Sequence, residues 1–417
     1  MSLSAHRVLA CALSIGGLFT TVARGADRTF VNLVVANGSG SVPFEPGDGF
    51  RYGGAINNAG VVAFRGERYV GRDEYLAGVY TVNVSAPHVV RTIYEPASAD
   101  RNAVAPSISD DGTIVMHIPS ENSVFTATAG GAVTPTYVPA NGNSEADWLI
   151  YGTPAINNTG QIAFRINGRI QGEWHSGLAS GNTAGTPVQP LARYPQYEGV
   201  SDYAINSGGR IAWGANGPDG YGVYAVNATG GTVGTVISSD AGDTFYDYVA
   251  INDNDRIAYV QTTLATETQE KSRAVRTTTI TGETTLVADS GGAYDTFGVH
   301  FFSEYSLAIN NNGSVAFYAS LDDGYHGIFT GPDPVADKVI AVGDPLFGGI
   351  VNELSLDNEG INDDGTIAFG YQIYFPDAPA GTPELRGLAV AMTAVPEPAA
   401  VGLLGCFGLS LARRRRA

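Results

Sequence analysis

Seven times this chain writes a variant of one ten-residue phrase. "AINNAGVVAF" starts at residue 55, and its relatives are "SISDDGTIVM" (107), "AINNTGQIAF" (155), "AINSGGRIAW" (204), "AINDNDRIAY" (250), "AINNNGSVAF" (308) and "GINDDGTIAF" (360). The starts lie 46 to 58 residues apart. A period near 50 in a chain with 54 glycines and no helical patterning predicts a propeller of four-stranded blades.

Each copy reads as a tight hairpin. A short apolar strand end meets a polar turn, and a second strand follows with an apolar-small-aromatic pattern. The side chain of Asn57 is suited to bond the turn backbone, and Gly60 to take a left-handed conformation. The same pair recurs as Asn157 and Gly160, Asn206 and Gly209, Asn310 and Gly313, and Asn362 and Gly365. In the fifth copy Asp255 stands where Gly belongs, and Asp tolerates that conformation better than most residues. In the second, Ser109 replaces Asn and keeps a capping oxygen. These substitutions obey the turn chemistry, so the repeat is structural.

Third strands follow at "GVYTV" (78–82), "GVYAV" (222–226), "GIFTG" (327–331) and "GLAVA" (387–391). Fourth strands follow at "VVRTIY" (89–94), "TVGTVI" (232–237) and "KVIAVG" (338–343). The seventh unit has a hairpin and a third strand but no fourth. The stretch "FVNLVVANGSG" (30–40) is a fourth strand with no hairpin before it. The two fit one another. The expectation is an all-β, seven-bladed β-propeller over residues 27–392, closed by the N-terminal strand completing the last blade.

The two ends read differently. Residues 1–25 have a short basic start (His6, Arg7), an apolar run and small residues at Ala23 and Gly25, the pattern of a cleaved secretory leader. Near the other end, Pro396, Glu397 and Pro398 precede an apolar run (399–412) and then Arg413, Arg414, Arg415 and Arg416. That run is shorter than the roughly 20 residues of a comfortable span, and the arginines would hold its end on the cytoplasmic side. The tail, residues 395–417, resembles the PEP-CTERM sorting signal of Gram-negative bacteria. The resemblance implies export, transient inner-membrane retention through the C-terminal segment alone, and handling by an exosortase-type enzyme. The repeats resemble those of exported bacterial proteins with tandem NxxGxxAF motifs and varied anchors. Asn57, Gly60, Ala63 and Phe64 carry that pattern, as do Asn157, Gly160, Ala163 and Phe164. The second, fourth and fifth copies depart from it. This resemblance implies a surface or secreted protein and brings no chemistry with it.

Charge narrows the partners. The formal net charge is -18, and Lys271 and Lys338 are the only lysines. Phosphate backbones and anionic lipid heads need clustered cations, so nucleic acid is an unsuitable partner. The two cysteines, Cys11 and Cys406, sit in the terminal apolar runs. The repeat region therefore has neither a disulfide framework nor a cysteine metal site.

The chain lacks a nucleophile elbow, a His-Glu-x-x-His motif and a phosphate loop. His88, His117, His175, His300 and His326 are scattered, and no cofactor motif is present. The acidic turns at 109–113, 251–256 and 361–366 offer oxygens to a calcium ion, but they are the repeat's own turn and are neutral in other copies. No metal site is expected. The segments leading into each hairpin mix aromatic and acidic residues: Trp148, Asp202, Tyr203, Tyr246, Asp247, Tyr248, Phe302, Glu304 and Tyr305. Their loops would gather on one face of the ring, suited to sugars or cationic ligands. The plainer alternative is that these rings pack between blades.

Two functions follow. The first is a non-enzymatic binding module at the cell surface or in the matrix, with extracellular polysaccharide as a candidate partner. The alternative is a secreted propeller hydrolase or lyase acting on polysaccharide. Two carboxylates converging within roughly 5–10 Å at the channel mouth would favour the enzyme. A small or neutral lining would count against it.

Overall fold

The computed structural model describes residues 22–23, 28–36 and 53–393, apart from short stretches at 72–73, 129, 138–145, 171–172, 186–188, 194–195, 198, 201, 240–243, 266–270, 299–306, 380–381 and 383. The predicted leader, the Pro-Glu-Pro tail and the residues Phe302, Glu304 and Tyr305 lie outside the described residues.

Seven antiparallel sheets follow one another along the chain, each built around one copy of the repeat. In blade 1 the strands are Ala55–Ile56, Val61–Gly71, Glu74–Asn83 and Ala86–Tyr94, paired in that order. Blades 2 to 6 span 107–137, 146–193, 203–239, 244–289 and 294–341 and repeat the scheme. Blade 7 takes Gly349–Ile361, Ile367–Tyr374 and Leu385–Thr393 from its own unit. Its fourth strand is Arg28–Ala36, which pairs antiparallel with Leu385–Thr393 from Arg28↔Thr393 to Ala36↔Arg386. The protein is a seven-bladed β-propeller closed by its N-terminal strand. Two short bridges, Val22–Ala23 and Pro345–Leu346, extend this last sheet.

The phrase itself explains the packing. Its last position holds Phe64, Met116, Phe164, Trp213, Tyr259, Phe317 or Phe369, each fully buried. The residue before it is Ala or Val, also fully buried (Ala63, Val115, Ala163, Ala212, Ala258, Ala316, Ala368). Successive strand residues face opposite sides of a sheet, so each blade presents a large residue to one neighbour and a small one to the other. The buried apolar residues accordingly fall into seven clusters, one per blade interface. The closing strand serves two of them. Phe30 joins the cluster between blades 6 and 7, and Leu33 and Val34 join that between blades 7 and 1.

The meander also sorts the loops. Every turn between first and second strands lies at one end of the ring, here the turn face. The segments that lead into each innermost strand lie at the other end, the loop face.

Candidate functional site

At the turn face the repeat asparagine has two roles. The Oδ1 of Asn57 accepts the backbone N–H groups of Ala59 (3.1 Å) and Val61 (2.9 Å), closing its own turn. Its Nδ2 donates to the carbonyl of Ser109 in the next blade, at 3.0 Å. Asn157, Asn206, Asn252 and Asn310 repeat the second bond to the following turn at 2.8–3.0 Å, and Asn362 returns to Asn57 at 3.5 Å. The glycine of each turn has positive φ, from +72° at Gly60 to +82° at Gly112, and Asp255 holds the same region at +57°. Only Ser109 is too short to reach blade 3.

The next residue of each turn forms a second ring. In order these are Asn58, Asp110, Asn158, Ser207, Asp253, Asn311 and Asp363. The N–H of Asn58 donates to Asp110 Oδ1 (2.9 Å) and that of Asp110 to Asn158 Oδ1 (2.7 Å); the series resumes with Ser207 to Asp253 (2.7 Å), Asp253 to Asn311 (2.7 Å), Asn311 to Asp363 (2.8 Å) and Asp363 to Asn58 (2.9 Å). No two carboxylates are neighbours in this ring. Side chains on either side donate to them: amide Nδ2 groups to Asp110 and Asp363, and the Nδ2 of Asn311 (3.1 Å) and the hydroxyl of Ser207 (3.0 Å) to Asp253. The carboxylates of Asp110, Asp253 and Asp363 are thus engaged within the ring. Among the described residues no group of three or more His, Cys, Asp or Glu could hold a metal ion.

Inside these rings the channel narrows to a cavity of about 130 Å³. Its wall carries one isoleucine from each blade (Ile56, Ile108, Ile156, Ile205, Ile251, Ile309, Ile361). Glu359 and Asn358 also line it. Glu359 comes from the innermost strand of blade 7, where the register slips between Leu356 and Ile361. It reaches past blade 1 to blade 2, where Ser107 Oγ donates to its Oε1 (2.7 Å) and the Ile108 N–H to its Oε2 (3.3 Å). Asp357 lies two residues before it, 3% exposed, and its Oδ1 accepts the Glu359 N–H at 3.3 Å. Its Oδ2 is buried without a partner. Burial pushes Glu359 up to about 8, further raised by the charge of Asp357 and opposed by the Ser107 hydrogen bond. Burial pushes Asp357 up to about 6. Glu359 retains partial exposure through the cavity although protein surrounds it. Neither residue stood out in the sequence. The signal was the run "DNEG" (357–360), which places three polar residues immediately before the last copy of the phrase.

The loop-face candidates divide. Tyr203 is 3% exposed and its hydroxyl donates to Thr153 O (2.6 Å), bridging blades 3 and 4. Tyr246 is 6% exposed and packs on Tyr259 with ring centroids 5.6 Å apart. Both are interface residues and are withdrawn from the ligand face: their apolar rings gain more between blades than in water. Trp148 lies on the innermost strand of blade 3 opposite Gly168. Asp202, Asp247 and Tyr248 are half-buried, Tyr248 at the edge of the cluster between blades 5 and 6; burial pushes its hydroxyl up to about 12, and the nearby charges of Asp202 and Asp247 act in the same direction. Arg273, from the third strand of blade 5, acts on both Asp247 and Tyr248 and was not foreseen.

Residues 56–379 match the family described as "Family of unknown function (DUF7453)". The chain belongs to that family. None of the curated proteins compared matches the DUF7453 chain by sequence. Among solved structures it is similar to virginiamycin B lyase from Staphylococcus aureus, at 12% identity and a TM-score of 0.46 over 88% of this chain and 99% of that one. The β-propeller domain of the Trilobed protease from Pyrococcus furiosus gives 13% identity and a TM-score of 0.47 over 82% and 92% of the two chains. Acylaminoacyl peptidase from Pyrococcus horikoshii gives 10% identity and a TM-score of 0.47 over 78% and 49%. These likenesses concern architecture and carry no activity to the DUF7453 propeller.

Proposed function

We propose that this DUF7453 protein is an exported propeller that binds at the cell surface or in the extracellular matrix and does not catalyse. The observation that carries this reading is the channel. The rim carboxylates are engaged in inter-blade hydrogen bonds, and the cavity within measures about 130 Å³. Ligand pockets typically enclose roughly 300–1,000 Å³. A sugar chain does not fit there, so binding falls to the loop face.

Export and sorting rest on the two ends: the leader at 1–25, and the Pro396-Glu397-Pro398 motif with its apolar run and Arg413 to Arg416. In this reading an exosortase-type enzyme handles the tail, and the propeller is released to, or fixed at, the outer surface. Replacing Pro396 and Pro398 by alanine should leave the protein in the inner membrane, detected by fractionation and by mass spectrometry of its C-terminus. Unchanged processing would refute the sorting role.

One observation favours the alternative, a polysaccharide hydrolase or lyase. Glu359 is held protonated at neutral pH beside Asp357, as a general acid beside a carboxylate would be. The cavity size weighs against it. Incubating the full chain with polysaccharides and measuring new reducing or unsaturated ends decides the matter. Turnover abolished by Glu359→Gln would establish the enzyme and end the binding-only reading.

A further inference from the structure

Blade 5 carries polar groups that the fold leaves unused. Its innermost strand, Thr244–Ile251, slips register between Asp247 and Ala250. At the slip Tyr248 has φ +52°. A bulky residue is strained in that region and persists there only where its surroundings enforce it. Here blade 6 does so. The Tyr248 ring lies over Gly298, where an added Cβ would stand 2.4 Å from the ring. A side chain at 298 would unseat the tyrosine.

The register places the neighbours. Asp247 is opposite Val260, and Val260 is opposite Val275. Val260 and Val275 belong to the cluster shared with Phe297 and Phe317 of blade 6, so this face of the sheet looks toward blade 6. Arg273 lies two residues before Val275 on the same face, about 7 Å nearer the loop end. Asp247 and Arg273 attract one another, yet no hydrogen bond joins them. Among the described residues none reaches the Asp247 carboxylate or the Tyr248 hydroxyl, and Arg273 Nε is buried without a partner. Buried polar groups are nearly always paired, so Arg273 Nε calls for a missing partner, and the part-exposed Asp247 carboxylate and Tyr248 hydroxyl beside it have no partner among the described residues.

We propose that Asp247, Tyr248 and Arg273 form a subsite for one unit of a neutral, hydroxyl-rich ligand, the sugar residue of an uncharged polysaccharide. The proposal rests on the binding reading above and gives it a place and a ligand class. A carboxylate accepts, a guanidinium donates, a phenol does both, and its ring offers a face for the C–H side of a sugar. Vicinal hydroxyls match that set because each donates and accepts. An anionic sugar would meet Asp202 and Asp247 within a protein of net charge -18. A simple cation would leave Arg273 unmet.

The test is a panel of neutral and uronic-acid glycans with the full chain, followed by calorimetry on the best ligand. The variants are Asp247→Asn, Tyr248→Ala, Arg273→Met and Gly298→Ala, with Tyr325→Ala as a remote exposed control. Variants are compared only where thermal unfolding shows a folded protein. The expected result is binding to a neutral glycan, weakened about tenfold or more by each of the three contact variants, since hydrogen bonds to charged groups contribute about 1.5–3 kcal/mol. Gly298→Ala should weaken it as well, and Tyr325→Ala should leave it unchanged. Neutral-glycan binding that the contact variants leave intact overturns the subsite while the binding reading stands. Binding confined to uronic acids, or to no glycan, overturns the ligand class. Cleavage of a bound glycan overturns the binding-only reading, and the same variants then show whether the subsite survives it.

Discussion

One asparagine per repeat closes its own turn with its oxygen and holds the next blade with its nitrogen. Asn206 is typical: Oδ1 accepts the Arg210 N–H at 2.8 Å, and Nδ2 donates to Asn252 O at 3.0 Å, with the side chain 3% exposed. Asn206→Ala removes both of these bonds, together with the one from Nδ2 to Asp255 Oδ1 (2.8 Å), and should cost on the order of 2 kcal/mol, read as a lower denaturant midpoint. Ser109 offers the converse. There a serine already closes the turn through Thr113 and Asp111 but makes no bond to blade 3. Ser109→Asn should add the missing link to the Asn157 carbonyl and stabilise by about 0.5–1 kcal/mol. An unchanged or lower midpoint would show that the ring bonds are incidental. Turn chemistry of this kind was legible in the sequence because Asn and Gly act within four residues. The bond to the neighbouring blade was not, because it spans 46 to 58 residues.

The innermost strands decide where polar groups enter the channel. Most are short and regular, but blades 3, 5 and 7 each slip register near their channel end. A bulge re-aims the residues beside it, and blade 7 uses this to bring Glu359 across to blade 2. That placement has a pH signature. The folded state keeps the Glu359 proton to about pH 8, whereas the unfolded chain releases it near 4.5. Asp357, raised from 3.8 to about 6, acts in the same direction. The native state therefore binds more protons between these values, and stability falls as pH rises through that window. Glu359→Gln keeps both contacts, its oxygen facing Ile108 N–H and its nitrogen facing Ser107 Oγ. It should flatten the fall between pH 6 and 9 and raise stability at pH 9 by roughly 1 kcal/mol, measured by denaturation across pH. A wild-type profile that is already flat would mean that Glu359 stays ionised.

For the ring as a whole, closure is the decisive contact. Without Arg28–Ala36, the strand Leu385–Thr393 would be a bare edge and two interface clusters would lose residues. Phe30, Leu33 and Val34 are each at most 2% exposed. At about 1.5–3 kcal/mol per buried side chain, deleting residues 28–36 should cost at least roughly 5 kcal/mol. Such a loss should abolish a single cooperative unfolding transition and favour edge-to-edge association, both visible by scanning calorimetry and light scattering. A truncated chain that stays monomeric with an unchanged transition would mean that the other six interfaces suffice. The terminal asymmetry of the repeats already pointed to this closure: a last unit short of one strand and a first strand without a hairpin.

Local chemistry and periodicity, which are properties of the chain, set the blade count, the turn residues, the large buried residue that ends each phrase and the closing strand. Those features depend on neighbours within one repeat or on counting repeats. The tertiary structure decided which aromatic residues are available to a ligand. Tyr203 and Tyr246 look like Tyr248 in the sequence, yet the first two fill blade interfaces and the third is turned by a left-handed backbone onto Gly298. It also decided that the rim carboxylates are consumed by ring bonds and that Glu359 and Arg273 stand where they do. The reason is physical: each of these outcomes depends on the facing surface of another blade, some fifty residues away in a chain whose loops vary independently of its repeat.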